Sequence, residues 1–157
     1  MTRSVVALRV VSGGQTGVDR AALDAALEAG LPVGGFCPRG RLAEDGTIPE
    51  RYPLVETRSA EYPQRTEWNV RDSDATLVLT RGAPTGGTAY TLEVARQLGR
   101  PALVVDLAAQ PDPAATREWC SEHAVRTLNV AGPRESGAPG IYVEARAFME
   151  AFLRGAG

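Results

Sequence analysis

The alternation of apolar and helical patterns along the chain constrains its fold more than any other feature. Short runs rich in Val, Leu and Ala alternate with segments whose apolar residues recur at helical spacing, and Gly or Pro separates them. Repeated strand–helix units of this kind place their strands in a mostly parallel sheet. The first strand is almost continuously apolar, which is typical of a strand covered on both faces. We therefore predict an α/β fold with helices on both faces of the sheet.

The same pattern predicts where each element begins and ends. Strands are predicted at 5–11, 31–36, 75–80, 102–106 and 125–131, with a short strand at 54–56. Helices are predicted at 21–29, 62–73, 88–98, 113–123 and 140–153. Between 37 and 58 the chain is dense in Pro, Gly and charge, so a long irregular loop is predicted there, and loops of that length are usually functional or disordered. No repeat is visible, and we predict one domain over 1–157.

Composition limits the class of protein. The chain has 157 residues, of which 43% are hydrophobic and 23% charged, enough for one domain that buries about two-thirds of its unfolded surface. No run approaches the roughly 20 apolar residues of a membrane helix, and the first ten residues are too few and too charged for a signal peptide. Cys37 and Cys120 are too few for a disulfide framework. These features predict a cytoplasmic protein without a membrane partner.

All 17 basic residues are arginine, and the sequence contains no lysine. Schiff-base chemistry with pyridoxal phosphate, a Walker-type phosphate-binding lysine and a lysine general base are therefore excluded. With 19 acidic residues the formal net charge is −2, which disfavours nonspecific binding to nucleic acid. The expected partner is a small molecule.

Two glycine-rich turns stand directly between a predicted strand and a predicted helix. The first reads SGGQTG over 12–17 and the second TGGT over 85–88. Turns of this kind meet at the carboxyl ends of parallel strands, where their N–H groups and the helix N-termini favour an anion. The alternative is that the glycines only allow tight turns. The ligand-binding residues predicted from the two turns are Gly13, Gly14, Gln15, Thr16, Gly17, Gly86, Gly87 and Thr88.

Charged residues beside the first turn and in the long loop are further candidates. Asp19 is expected either to cap the first helix or to contact the ligand. Arg20 lies where a cation opposes the helix dipole, so an anion or a carboxylate is expected beside it. Arg39 and Arg41 carry guanidinium groups that suit phosphate or oxyanion recognition, although mixed charge on a loop is also typical of a solvated surface.

The helices that follow contribute candidates for recognition and catalysis. Arg65, Asn69 and Asp72 share one helix face at i, i+4 and i+7, which faces either the glycine turns or solvent. Glu93 is the candidate acid or base near a bound anion, and its alternative is an exposed helix carboxylate. His123 follows Cys120 by three residues but lacks two further ligands, so no metal site is predicted.

Four blocks of sequence occur in the order that is typical of a known family. They read SGGQTGVDRAALDAAL, GFCPRGRLAEDGTIPERYPLVET, YPQRTEWNVRDSDATLVL and PTGGTAYTLEVA, and between Val10 and Val105 the chain resembles the putative molybdenum carrier family. That family is similar to the Rossmann-like superfamily that includes the LOG (lysine-decarboxylase-like) phosphoribohydrolases and DprA. The resemblance implies a doubly wound Rossmann-like sheet, a homo-oligomer, and a nucleotide-like or pterin-type phosphorylated ligand above the glycine turns. The molybdenum cofactor would be the cargo of such a carrier.

The resemblance to LOG enzymes implies an alternative function. Their pattern has an Arg nine residues before an Asp, then a strand and a glycine turn, and Arg65 and Asp74 keep that interval here. Arg65 would correspond to the catalytic Arg, and Glu93 approximately to the catalytic Glu. The two hypotheses are a binding or carrier protein for an anionic phosphorylated ligand and a phosphoribohydrolase that cleaves a nucleotide N-glycosidic bond.

Overall fold

The computed structural model describes residues 8–154, which form an α/β fold around a five-stranded parallel sheet. The strands are β1 (Arg9–Val11), β2 (Val33–Gly34), β3 (Phe36–Cys37), β4 (Leu42–Ala43), β5 (Gly46–Thr47), β6 (Val55–Glu56), β7 (Ala75–Thr80), β8 (Ala102–Asp106) and β9 (Thr127–Ala131). The helices are α1 (Val18–Glu28), α2 (Tyr62–Arg71), α3 (Gly86–Leu98), α4 (Pro113–Glu122) and α5 (Ile141–Arg154). The central sheet has the order β2-β1-β9-β7-β8. The predicted fold class is confirmed.

Helices cover both faces of this sheet. The helices α1, α4 and α5 pack together on one face, and α2 packs against α3 on the other. Strand β7 is buried along its whole length because it lies inside the sheet between these layers. A strand that is covered on both sides needs apolar or small side chains throughout, and this explains why its bounds were predictable. The predicted bounds of β7 and β8 are both confirmed.

Other bounds differ from the prediction by a few residues. The helices α1 and α3 begin earlier than predicted, α1 at Val18, directly after the first glycine turn, and α3 at Gly86, inside the second. The predicted helices at 62–73 and 113–123 end at Arg71 and Glu122, and the predicted strand at 125–131 begins at Thr127. In the predicted strand at 5–11, residues 5–7 lie outside the described part of the chain.

The prediction of a single strand over 31–36 is wrong. The chain forms β2 in the central sheet and then, after Gly35, forms β3, which pairs with β6 in a separate parallel pair. Gly35 has a φ of 125°, and a Cβ there would lie 2.3 Å from the carbonyl oxygen of Ser12. Glycine is required at this position because the chain bends away from the sheet while it passes close to the backbone that follows β1.

The predicted irregular loop after Cys37 is ordered. It contains the antiparallel pair of β4 and β5, and the short strand predicted at 54–56 is confirmed as β6. Ile48 and Tyr52 are fully buried in a small second core with Leu23 and Cys37. The Arg41 side chain donates hydrogen bonds to four backbone carbonyls of the loop, those of Ile48, Pro49, Tyr52 and Leu54. Within the described residues, none of the helices has the length and apolar character needed to cross a membrane.

Candidate functional site

A cleft of about 550 Å³ opens at the carboxyl ends of β7 and β9 and beside the turn that follows β1. Ligands of open parallel sheets bind at this position. Four of the side chains that line it are charged, namely Asp19, Arg65, Arg81 and Arg134. Three cations and one anion line the cleft, although the whole chain carries a net charge of −2. Each of the three arginines is paired with a carboxylate of this chain, Arg65 with Asp19, Arg81 with Glu144 and Arg134 with Glu44. A guanidinium group has five N–H donors, so the donors that these pairs leave over favour an anionic ligand.

In the first glycine turn, only part of the backbone faces the cleft. Gly13 and Gln15 line it, and a Cβ at Gly13 would lie 1.6 Å from Nη1 of Arg65. Gly14 has a φ of 82° and lies against the side chains of Ile48 and Leu54. Gly17 also has a positive φ and lies against the backbone of Pro133. The turn therefore brings Arg65 directly onto Gly13, while Gly14 and Gly17 support packing behind it.

A buried ion pair lies on the wall of the cleft. Nη1 of Arg65 is 3.1 Å from Oδ2 of Asp19, and the same carboxylate oxygen accepts a hydrogen bond from the Gln15 N–H at 3.1 Å. Burial raises the pKa of the Asp19 carboxyl, and the positive charge of Arg65 opposes that rise. The Nε atom of Arg65 is buried without a hydrogen-bond partner among the described residues. Asp19 thus orients Arg65, and the guanidinium keeps donor capacity for a further group.

The second glycine turn opens onto the same cleft at the start of α3. Gly86, Gly87 and Thr88 line it, and a Cβ at Gly86 or Gly87 would meet no atom of the described chain within 4 Å. The first N–H groups of a helix have no partner inside the helix, so those of Gly86 and Gly87 are available to a ligand. Backbone atoms of both glycine turns therefore line the same cleft, which is the arrangement expected of an anion-binding site.

Two predicted residues, Thr16 in the first turn and Arg20 at the start of α1, form contacts that hold loops in place. The Thr16 hydroxyl donates to Glu44, and its oxygen accepts a hydrogen bond from the Glu135 N–H. Arg20 donates to both carboxylate oxygens of Asp45, at 2.5 and 2.8 Å, and to the Gly14 carbonyl. The partner expected beside Arg20 is therefore a carboxylate of this chain. Neither Thr16 nor Arg20 lines the cleft.

Three other predicted residues also lie outside the cleft. Arg41 is occupied by the loop carbonyls described above, and Arg39 lies on the same loop. Glu93 is exposed on α3, where its carboxylate accepts hydrogen bonds from Arg96 and Gln97. The bond from Arg96 lowers the pKa of Glu93. Glu93 is therefore an exposed carboxylate on a helix, which was the alternative to its role as an acid or base.

The predicted polar face of α2 divides into residues with different roles. Asn69 lines the cleft, but its amide exchanges two hydrogen bonds with the backbone of Phe36, at 2.8 and 3.0 Å. Asp72 pairs with Arg71 at 2.7 Å. Asp74 accepts hydrogen bonds from the backbone N–H groups of Arg126 and Thr127. Of this face, only Arg65 presents a charged group to the cleft.

Sequence reasoning missed several residues of the cleft. Arg81 directly follows β7, and Arg134 follows β9 by three residues, so their position at strand ends is a signal that could have identified them. Arg81 also pairs with Glu144 at 3.1 Å. Tyr62 and Tyr90 add aromatic surface, and Arg65 lies over the Tyr62 ring at 5.2 Å from its centroid. No sequence pattern marks these two tyrosines.

The described residues contain no group of three or more His, Cys, Asp or Glu side chains that could hold a metal ion. Nδ1 of His123 lies 2.9 Å from the Trp119 carbonyl oxygen, within its own helix terminus. Cys120 is buried, and burial raises the pKa of its thiol to about 11.

Comparisons with known proteins agree with this architecture. The sequence model of the family described as Circularly permutated YpsA SLOG family matches residues 10–153. A crystal structure of a protein named putative molybdenum carrier protein, from Syntrophus aciditrophicus SB, is 43% identical in sequence and superposes with a TM-score of 0.89. The match covers 94% of this chain and 96% of that chain. No curated protein matches the sequence.

Proposed function

The chain belongs to the Circularly permutated YpsA SLOG family, and from that premise we propose that it binds an anionic, phosphate-bearing small molecule in the cleft. Its role would be that of a binding or carrier protein rather than an enzyme. The observation that carries this proposal is that three arginine side chains and the first residues of α3 line one cleft, so that guanidinium and backbone N–H donors converge there.

Backbone N–H groups and arginine side chains would together bind the anion. The free N–H groups of Gly86 and Gly87 would bind phosphate oxygens at the N-terminus of α3, where the helix dipole favours negative charge. Arg65, held in place by Asp19, would add a charge-assisted hydrogen bond. Such a bond contributes about 1.5–3 kcal/mol, so a single arginine has a measurable effect on affinity.

The remaining walls suit the larger part of such a ligand. Tyr62, Tyr90, Thr66 and Asn129 surround the anion-binding groups, and the volume of the cleft lies within the range of small-molecule sites. The protein from Syntrophus aciditrophicus SB bears the name of a molybdenum carrier. We therefore propose the molybdenum cofactor, a phosphorylated pterin, as the first candidate cargo and a nucleotide as the second.

A LOG-like phosphoribohydrolase remains the alternative, and the position of Glu93 weakens it. Glu93 is paired with Arg96 on the exposed side of α3, and among the described residues Asp19 is the one carboxylate that lines the cleft. The carrier proposal predicts that incubation with adenosine monophosphate releases no adenine, even at high protein concentration. Adenine release by the parent protein that disappears in Glu93→Gln would overturn it.

Calorimetry on two arginine variants tests the proposed cleft. Small molecules that copurify with the native protein are first identified by mass spectrometry, and their binding is then titrated beside that of adenosine monophosphate. Arg65→Ala should weaken binding by about 2 kcal/mol, roughly thirtyfold. Arg39→Ala is the matched control, because Arg39 does not line the cleft, and its affinity should equal that of the parent. Equal affinity for all three proteins would refute the proposed site.

A further inference from the structure

A second hollow of about 380 Å³ lies between β8 and α4, and it shares no residue with the cleft. Leu103, Val105 and Trp119 form its apolar part, and these side chains also pack against the main core. Val104 borders it with 43% of its surface exposed. We call this hollow the edge groove. An apolar groove on a rigid core is a suitable surface for a partner chain.

The edge groove runs along β8, which within residues 8–154 is paired with a neighbouring strand on one side only. Strand β8 ends the sheet, and β7 is its neighbour on the inner side. In this pairing the Thr76 N–H donates to the Pro101 carbonyl, so the register directs the peptide groups of Ala102 and Val104 away from β7. Such an edge offers unpaired N–H and C=O groups, and an added strand could pair with them.

The charge of the edge groove is of one sign. All four titratable side chains that line it are acidic: Asp106, Asp112, Glu118 and Glu122. Asp106 and Asp112 accept hydrogen bonds from nearby backbone N–H groups. Glu118 and Glu122 are exposed four residues apart on α4, and neither forms an ion pair in the described part of the chain. Like charges at this spacing repel each other, and a cation of a partner would relieve the repulsion.

Some exposed carboxylates of the molecule do have arginine partners, as Glu93 has Arg96 and Glu144 has Arg81. A second copy of this chain is a poor occupant, because a twofold contact would place one acidic rim against the other. We propose that the edge groove docks a basic, extended segment of another protein, which adds a strand to β8. Its apolar side chains would lie beside Trp119, and its Lys or Arg side chains would reach Glu118 and Glu122.

Peptide binding tests this proposal on the intact protein. The probe is a synthetic peptide of about six alternating valine and arginine residues, the length of an ordinary strand. Binding is measured by calorimetry, and the tryptophan fluorescence of a Trp68→Phe background reports on Trp119. We expect saturable one-to-one binding that weakens as salt is added. The charge-reversed variant Glu118→Arg/Glu122→Arg should weaken it at least about tenfold.

Two further variants separate a docking site from general charge attraction. Glu50→Arg/Glu61→Arg changes the net charge by the same amount at exposed positions outside the edge groove, and it should bind the peptide like the parent. Val104→Pro removes one edge N–H, a change that edge strands tolerate, and it should also weaken binding about tenfold. No binding by the parent, equal losses in both charge-reversed variants, or a dimer that depends on Glu118 and Glu122 would each overturn the proposal. If Val104→Pro does not fold, the two charge-reversed variants decide.

Discussion

Glycine serves two different purposes around the cleft, and the neighbouring atoms distinguish them. At Gly13 the atoms that an added Cβ would meet belong to the end of the flexible Arg65 side chain. At Gly132 the nearest atom is the backbone carbonyl oxygen of Leu79, 2.2 Å from a Cβ. A side chain can move aside at Gly13, whereas backbone inside a buried sheet cannot move at Gly132. Gly13 therefore makes room for a side chain of the site, whereas Gly132 is required for the packing of the fold.

Replacing these two glycines should affect binding and stability differently. Gly13→Ala should displace the Arg65 guanidinium and weaken binding of the copurified ligand about tenfold, and it should also lower the melting temperature because the buried ion pair with Asp19 is disturbed. Gly132→Ala should destabilise the protein by about 1–3 kcal/mol, because the added methyl group overlaps backbone. Thermal unfolding followed by circular dichroism and calorimetric titration check both. A Gly13→Ala protein with the parent's affinity would contradict the assigned position of Arg65.

The segment from Cys37 to Glu56 is an element in its own right, held by polar contacts more than by strand pairing. Arg41 has a φ of 54° and satisfies four carbonyls of the segment. At its tip, Glu44 accepts hydrogen bonds from Thr16 and from the hydroxyl and N–H of Ser136. One carboxylate thereby links this segment to the first glycine turn and to the loop after β9. The position of the cleft walls depends on these links.

Loss of the Arg41 side chain should loosen this segment. Arg41→Ala removes four hydrogen bonds, and although the carbonyls of Pro49 and Tyr52 keep a backbone donor, those of Ile48 and Leu54 lose the Arg41 donor without another to replace it among the described residues. Each buried group left unsatisfied costs about 1–3 kcal/mol. We expect limited proteolysis to cut between residues 38 and 56 at least about tenfold faster than in the parent. Arg39→Ala, on the same segment and without these bonds, should be cut at the parent's rate. Equal cleavage rates in the parent and both variants would argue against a role of the Arg41 side chain in ordering this segment.

The Glu44 carboxyl should make the free energy of unfolding depend on pH. Hydrogen bonds from Ser136 and Thr16 lower the pKa of this carboxyl below its ordinary value of 4.5. A group whose pKa is lower in the folded state stabilises the fold above the unfolded pKa, and the contribution is lost as pH falls through the folded value. The stability difference between the parent and Glu44→Gln should therefore shrink as pH falls below 4.5. Denaturant unfolding at several pH values measures this, and an unchanged difference would contradict it.

At the scale of the whole molecule, the sheet and the helix layer of α1, α4 and α5 form the main core. Small residues of α1 such as Ala22 and Ala26 are fully buried there, so this helix lies close to the sheet and to α5. The second layer, formed by α2 and α3, carries a much smaller cluster of Val70, Val94 and Ala95. The cleft opens beside this smaller layer, where Arg65 and the start of α3 meet.

Truncation inside the buried strand β7 should cost a large part of the stability available to a domain of this size. Leu77 is fully buried in β7, and Leu77→Ala should destabilise the fold by about 2–5 kcal/mol. Leu98→Ala is the control, because Leu98 is 47% exposed and its loss should change stability by about 0.5 kcal/mol or less. Urea unfolding gives both values.

The homo-oligomer implied by the family resemblance stays a prediction. Analytical ultracentrifugation of the parent protein measures its oligomeric state and tests this prediction.

The order of residues was enough to predict the parallel α/β fold, the bounds of β7 and β8, and the location of both glycine turns. Each of these depends on local spacing, on continuous burial or on the backbone freedom of glycine, which neighbouring residues report directly. The short strand at 54–56 could also be predicted, because its apolar residues interrupt a polar stretch.

Which charged residues face the cleft became clear only from the folded chain. Arg20 pairs with Asp45, 25 positions away, and Arg65 pairs with Asp19, 46 positions away. Arginines on a sequence are chemically alike, and only the folded arrangement decides which carboxylates or carbonyls each one meets and which of them also line the cleft. The same reason placed Glu93 outside the cleft, whereas Arg81 and Arg134 do carry a sequence signal in their position just after strand ends. Long-range pairing of side chains has no local signal, and therefore it could not be predicted from the order of residues.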